Sequence, residues 1–134
     1  MLIKISIITV VKNGMPHLKD CIKSIKNQTY QNIEHIVVYT NSNDGTLNFL
    51  KKNKKKICYD NTSGNKFGAI NKGIKIAKGK YIALLHADDI FFNYNTLSNI
   101  SKILIKEDVD VLYGDMIYIN ENNISKIVRK WISK

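Results

Sequence analysis

An α/β fold with a central, mostly parallel sheet is predicted by three features of this sequence. Short apolar runs of strand length alternate with segments whose apolar residues recur at helical spacing, the pattern of strand, crossover helix and strand. Turn clusters rich in Asn, Asp, Ser and Gly separate them. The uninterrupted apolar run Tyr81-Ile82-Ala83-Leu84-Leu85 is followed by His86-Ala87-Asp88-Asp89. It reads as a strand buried on both faces that delivers two adjacent carboxylates to the carboxyl edge of the sheet. Ligands of open parallel sheets bind at that edge, where the strand order reverses.

The elements follow in order. Ile3 to Val11 opens as a strand and ends at the turn Lys12-Asn13-Gly14. Leu18, Cys21, Ile22 and Ile25 place a helix of about three turns that stops near Asn27-Gln28. Ile33 to Val38 is a second strand, and Asn41-Ser42-Asn43-Asp44-Gly45-Thr46 is dense in turn and N-cap residues. Leu47, Phe49 and Leu50 begin a second helix that runs into Lys51-Lys52-Asn53-Lys54-Lys55-Lys56, a cationic run suited to a helix C-terminus and expected to be exposed. A short third strand fits Ile57-Cys58-Tyr59. After a polar connection over 60–66, Phe67, Ile70, Ile74 and Ala77 define a third helix with Gly79 as its C-cap. Beyond Asp89, Leu97, Ile100, Ile103 and Leu104 mark a fourth helix, and Asp110 to Asp115 a fifth strand. Met116 to Ile119 and Lys126 to Ile132 form a hairpin around Asn120-Glu121-Asn122-Asn123. No repeat or linker interrupts the pattern, so residues 1–134 are expected to form one domain.

Composition narrows the function classes. The 134 residues carry a formal charge of +10, from 21 Lys and Arg against 11 Asp and Glu. Such a balance suits a nucleic acid, an anionic membrane or a phosphorylated ligand, and equally a solvated lysine surface. No nucleic-acid-binding motif is present, so a nucleic acid is not the expected partner. Cys21 and Cys58 are too far apart for a zinc framework, and Cys21 falls on the apolar face of the first helix as a small core residue. No leader precedes the first strand and no apolar run is long enough to span a bilayer, so the expected compartment is cytoplasmic. Trp131 beside Arg129 and Lys130 leaves peripheral membrane contact open. For the acid pair two readings also stay open: carboxylates that share a divalent cation with a diphosphate, or an Asp-Asp that ends a strand and caps a turn.

Several segments in order carry a resemblance. Ser6-Ile7-Ile8-Thr9-Val10-Val11-Lys12-Asn13-Gly14, Ser24 with Asn27-Gln28-Thr29-Tyr30, Asn32-Ile33-Glu34, Ser42-Asn43-Asp44-Gly45-Thr46, Ala69-Ile70-Asn71-Lys72-Gly73 and Ala87-Asp88-Asp89 resemble family 2 glycosyltransferases of the GT-A fold, as does Tyr113-Gly114-Asp115. The resemblance implies a three-layer, Rossmann-like α/β domain that binds an NDP-sugar, usually a UDP-sugar, with Mn²⁺ or Mg²⁺. An acceptor hydroxyl would then attack the anomeric carbon with inversion. It implies Thr9, Val11, Asn13, Tyr39, Asn71, Lys72 and Asp88 as nucleotide-binding positions, with Asp88 on the ribose side and Asp89 as the metal ligand. In a sheet ordered 3-2-1-4 the ends of the first, second and fourth strands converge on one crevice.

Two positions depart from the family pattern. Tyr39 stands where an acid is common after the second strand, and Gly68 where an acid commonly precedes the Ala-x-Asn-Lys-Gly segment. The chain also ends soon after the fifth expected strand, before the family's acceptor region, so the catalytic base stays unassigned and Asp115 is the only acid near that place. Three classes of function are therefore open. They are a glycosyltransferase domain whose site is completed by further chain or by another subunit, a non-catalytic sugar-nucleotide-binding module, and a basic protein that binds membrane or nucleic acid.

Overall fold

The computed structural model describes residues 2–53, 56–60 and 65–133. Four strands, β1 (Ile5–Val11), β2 (Ile33–Thr40), β3 (Lys56–Asp60) and β4 (Tyr81–Leu84), form a sheet ordered β3-β2-β1-β4. All three pairings are parallel, with Ile8 opposite both Ile36 and Leu84. The expected 3-2-1-4 order is thus observed, and the strand order reverses at β1, between β2 and β4. Helices α1 (Leu18–Lys26), α2 (Thr46–Lys52) and α3 (Lys66–Ile76) supply the crossovers. Helix α4 (Thr96–Glu107) follows, and then an antiparallel hairpin of β5 (Met116–Asn120) and β6 (Asn123–Trp131). The chain groups into two compact units, residues 1–102 and 103–134.

Within the first unit the middle of β1 and β2 is closed to water on both faces, as the continuous apolar runs dictate. On α1 the face of Leu18, Cys21, Ile22 and Ile25 is buried, and Cys21 is the core residue its position implied. Leu97 at the start of α4 is fully buried in the cluster of Ile5, Ile7, Cys21 and Ile25.

Helix α3 seats on the sheet differently from expectation. Phe67 and Ile74 are exposed, while Ala69 and Gly73 are buried. Small residues decide this face, because a methyl group at Gly73 would lie 2.6 Å from Ile8 Cγ2 and 3.2 Å from Val38 Cγ2. Only a residue without a side chain lets the helix backbone come that near. Gly79 does not cap α3, whose C-cap is Ala77. A Cβ on Gly79 would meet the Ser6 backbone nitrogen at 2.5 Å, so this glycine serves a close approach to β1.

Two further expectations need correction. Strand β4 is half-buried, with Ile82 and Leu84 exposed at 43% and 53%, because among the described residues it forms the edge of the sheet. Asp110 to Asp115 is not a strand: Val111, Leu112 and Tyr113 are exposed and no ladder pairs them among the described residues. The hairpin after it is present as expected, with Arg129 over the Tyr118 ring. Of the lysine run, Lys51 and Lys52 are exposed at the end of α2, while Lys54, Lys55 and the side chain of Lys56 lie outside the described residues. So do residues 61–64 of the connection before α3, with Ser63 and Gly64.

Candidate active site

The carboxyl ends of β1, β2 and β4 carry the site, and each is shaped by its own turn. After β1, Asn13 adopts a left-handed backbone (φ 50°), a conformation that Asn tolerates better than most residues. The three successive amides from Asn13 to Met15 then all donate to the loop after β2 or to the first residue of α2. Asn13 N–H reaches Ser42 Oγ at 2.9 Å, Gly14 N–H reaches Thr46 Oγ1 at 3.0 Å, and Met15 N–H reaches Asp44 Oδ2 at 2.8 Å. In return Asn13 Oδ1 accepts from the Asn43 N–H at 3.0 Å. Successive amides about a left-handed residue form a concavity suited to an anion. Here the chain's own oxygens fill it, so the phosphates of a ligand do not sit on this turn as they would on a glycine-rich dinucleotide loop.

The acid pair lies on the other side of β1. The Leu85 N–H continues the ladder by donating to the Ile8 carbonyl at 3.1 Å. The chain then turns, with Asp89 N–H donating to His86 O at 3.0 Å and Cys21 Sγ lying 3.4 Å from the same carbonyl. Asp88 and Asp89 are exposed. Partial desolvation, followed by the adjacent Asp88 charge, raises the Asp89 carboxyl above its ordinary range; the charges of His86 and Lys66 act against that rise. Lys66 opens α3, so that helix brings a cation to bear on Asp89. The β1 and β4 ends approach closely enough that a methyl at Gly14 would be 3.7 Å from the Ala87 methyl. The chain ends of β1 and β4, which carry Asn13 and Asp88-Asp89, therefore lie side by side.

The segment beyond the acids is tied to the end of α1. Ser24 Oγ accepts the Phe91 N–H, and the buried Gln28 donates to Asn93 O at 2.8 Å while accepting the Leu97 N–H at 2.9 Å. Thr29 bonds Tyr94 O through both its amide and its hydroxyl. The motif residues Ser24, Gln28 and Thr29 thus hold the segment that follows the acid turn. Glu34 serves the opposite edge of the sheet, where Oε2 accepts the Ser6 hydroxyl at 2.7 Å and the Lys78 N–H at 2.8 Å.

The other sequence-expected positions lie deeper or elsewhere. Thr9 is fully buried, with its hydroxyl 3.0 Å from His35 Nε2, and Val11 is a core residue beside Leu18 and Val37. The Tyr39 ring is buried in the same cluster as Val11, and its hydroxyl accepts the Ser42 N–H at 2.9 Å. None of these three side chains faces the crevice as an open hydrogen-bonding group. Asn71 is exposed and Lys72 half-buried along α3. In the second unit Asp115 Oδ1 accepts from both the amide and the hydroxyl of Ser133, each at 2.9 Å. Among the described residues no group of three or more His, Cys, Asp or Glu side chains is placed to hold a metal.

The model for "Glycosyl transferase family 2" matches residues 6–133. The chain belongs to glycosyl transferase family 2. It is 30% identical over 124 residues to glycosyltransferase GlyG of Streptococcus pneumoniae, covering 89% of this chain and 41% of that protein. It is 32% identical over 124 residues to Escherichia coli WfgD, a "UDP-Glc:alpha-D-GlcNAc-diphosphoundecaprenol beta-1,3-glucosyltransferase", covering 90% of this chain and 48% of that protein. Among solved structures, S. aureus TarS 1-349 in complex with UDP superposes with a TM-score of 0.74 at 26% identity, over 80% of this chain and 33% of that one. The fold is GT-A, and the chain spans less than half the length of these relatives. Near the end of β2, Tyr39 is a core residue whose hydroxyl shapes the loop that follows.

Proposed function

We propose that this chain is the donor-binding part of an inverting glycosyltransferase that moves a sugar from an NDP-sugar, a UDP-sugar first, to an acceptor hydroxyl. The observation that supports this reading is that the carboxyl ends of β1 and β4, which carry Asn13 and the Asp88-Asp89 turn, lie side by side where the strand order reverses. WfgD, named for a UDP-sugar donor, and the UDP complex of TarS support a uridine nucleotide.

Each residue then has a role set by its chemistry. Asn13 binds the base or ribose, Asp88 the ribose side, and Asp89 a divalent cation, Mn²⁺ or Mg²⁺. The donor set fits such an ion: of two adjacent carboxylates, Asp89 is pushed above its ordinary range by desolvation and then by the Asp88 charge, and a cation between them would favour the ionised form of both. The ion would neutralise the diphosphate as leaving group. Lys66, whose charge already acts on Asp89, adds positive potential on the same side. With an amide donor on one flank and the acids on the other, a nucleoside diphosphate can lie across the end of β1.

Isothermal titration of the chain with UDP, GDP and their sugars, each with and without Mn²⁺, tests the reading. UDP binding that requires Mn²⁺ is expected, and affinity that is the same in EDTA would contradict it.

A further inference from the structure

We infer that Asp44 is a positioning residue for the nucleoside end of the crevice, acting through Asn13. This inference rests on the reading that Asn13 binds the donor nucleotide. The two carboxylate oxygens of Asp44 divide their work between two loops. Oδ2 takes the Met15 N–H at 2.8 Å, while Oδ1 takes the Thr46 hydroxyl at 2.6 Å and the Thr46 N–H at 3.1 Å. Thr46, so oriented, has its Oγ1 3.0 Å from the Gly14 N–H. A hydroxyl that donates its single proton to a carboxylate presents its lone pairs elsewhere, which is what the Gly14 amide requires. The carboxylate therefore fixes two of the three amides after β1 directly or through one hydroxyl. They are the two amides that directly follow Asn13, whose backbone is left-handed.

The consequence for recognition lies in the polarity of the Asn13 side chain. Because Asn43 N–H occupies Oδ1, the amide is fixed with its NH₂ as the group left to address a ligand. Asn13 is exposed, so that NH₂ offers donors to a base carbonyl or a ribose oxygen. Were the β2–α2 loop to move away, Asn13 would lose both the Asn43 contact and the Ser42 contact that hold this orientation. Asp44 itself touches no part of the acid turn in any hydrogen bond described, so its influence should stop at the nucleoside end.

Asp44→Ala and Asp44→Asn, the second keeping the shape and one acceptor oxygen, test the assignment by two measurements on the full chain. The first compares affinities for UDP and for inorganic pyrophosphate, both with Mn²⁺. Asp44→Ala should weaken UDP tenfold or more and leave pyrophosphate within twofold, with Asp44→Asn between. A twofold or smaller change in UDP affinity, or an equal loss for both ligands, overturns the inference while leaving the donor reading of the wild type intact. The second measurement needs no ligand: amide hydrogen exchange at Asn13, Gly14, Met15 and Asn43 should accelerate at least tenfold in the variants, while Ile7 and Val37 keep their protection. Unchanged exchange at those four amides overturns the inference even where the wild type binds no nucleotide.

Discussion

Replacing Gln28 with Ala should destabilise the chain far more than an average polar substitution, because this side chain is 2% exposed and joins three backbone groups. Its Nε2 donates to Ser24 O at 3.2 Å and to Asn93 O at 2.8 Å, and its Oε1 accepts the Leu97 N–H at 2.9 Å. Truncation leaves the buried Leu97 amide without that acceptor, a loss of about 1–3 kcal/mol. Asn93 O keeps the Thr96 hydroxyl at 3.0 Å, so its lost bond weighs only about 0.5–1.5 kcal/mol. With the vacated volume, a total of about 2–5 kcal/mol is expected, to be read from urea unfolding at pH 7. Gln28→Glu supplies the internal control. The introduced carboxylate still accepts from Leu97 but sets an oxygen against the Asn93 carbonyl, so its folded-state pKa should rise above the ordinary Glu value of about 4.3. A raised acid pKa means that the folded state holds the proton more tightly than the unfolded state. The deficit should therefore shrink as pH falls through the folded value toward about 4. A Gln28→Ala chain within about 0.5 kcal/mol of wild type, the range of surface changes, would refute the clamp.

Three other outcomes follow from the same geometry. Gly73→Ala should destabilise despite a helix-propensity gain of about 0.8–1.0 kcal/mol, because a methyl 2.6 Å from Ile8 Cγ2 adds overpacking of about 1–3 kcal/mol; a more stable variant in urea would contradict the close α3 contact. Asp44 is held below its ordinary value of 3.8, first by the Thr46 hydroxyl, so its contribution is present above that pH and lost as pH falls through the lower folded value; the stability difference between wild type and Asp44→Asn should shrink only below pH 3.8. Lys52→Gln should leave UDP affinity within twofold at physiological salt, since α2 ends at the far edge of the sheet from the crevice and the Debye length is about 8 Å; a tenfold loss would count against that placement.

The sheet was legible in the sequence because β1, β2 and the helices between them bury continuous or periodic apolar residues whose spacing has one solution. Strand β4 shows the limit of that signal. An apolar run specifies affinity for burial but not which neighbour supplies it, and Ile82 and Leu84 stay exposed at an edge. Asp110 to Asp115 has β-forming residues and no ladder among the described residues, since a strand exists only with its partner. The face of α3 was misread because Ala69 and Gly73, the residues in contact, carry little hydrophobic signal. At the site, Asp88-Asp89 stood out as adjacent charges after an apolar strand. The Asp44 latch did not, because it joins a carboxylate to a backbone amide 29 residues away, and backbone amides have no sequence signature. Gln28 and Glu34 were visible only as parts of a resemblance, and the structure gives them physical work in the scaffold.

The most direct test of the donor-site account is the Mn²⁺ dependence of UDP binding in wild type and in Asp89→Asn, measured by calorimetry in the same buffer. The substitution removes one charge while keeping size and one acceptor oxygen, so it reports on the cation and not on packing. Wild type should bind UDP with Mn²⁺ at least tenfold more tightly than in EDTA, a difference of about 1.4 kcal/mol. Asp89→Asn should lose that increment and bind equally with or without the ion. An Mn²⁺ increment of the same size in both proteins would contradict the assignment of the ion to Asp89.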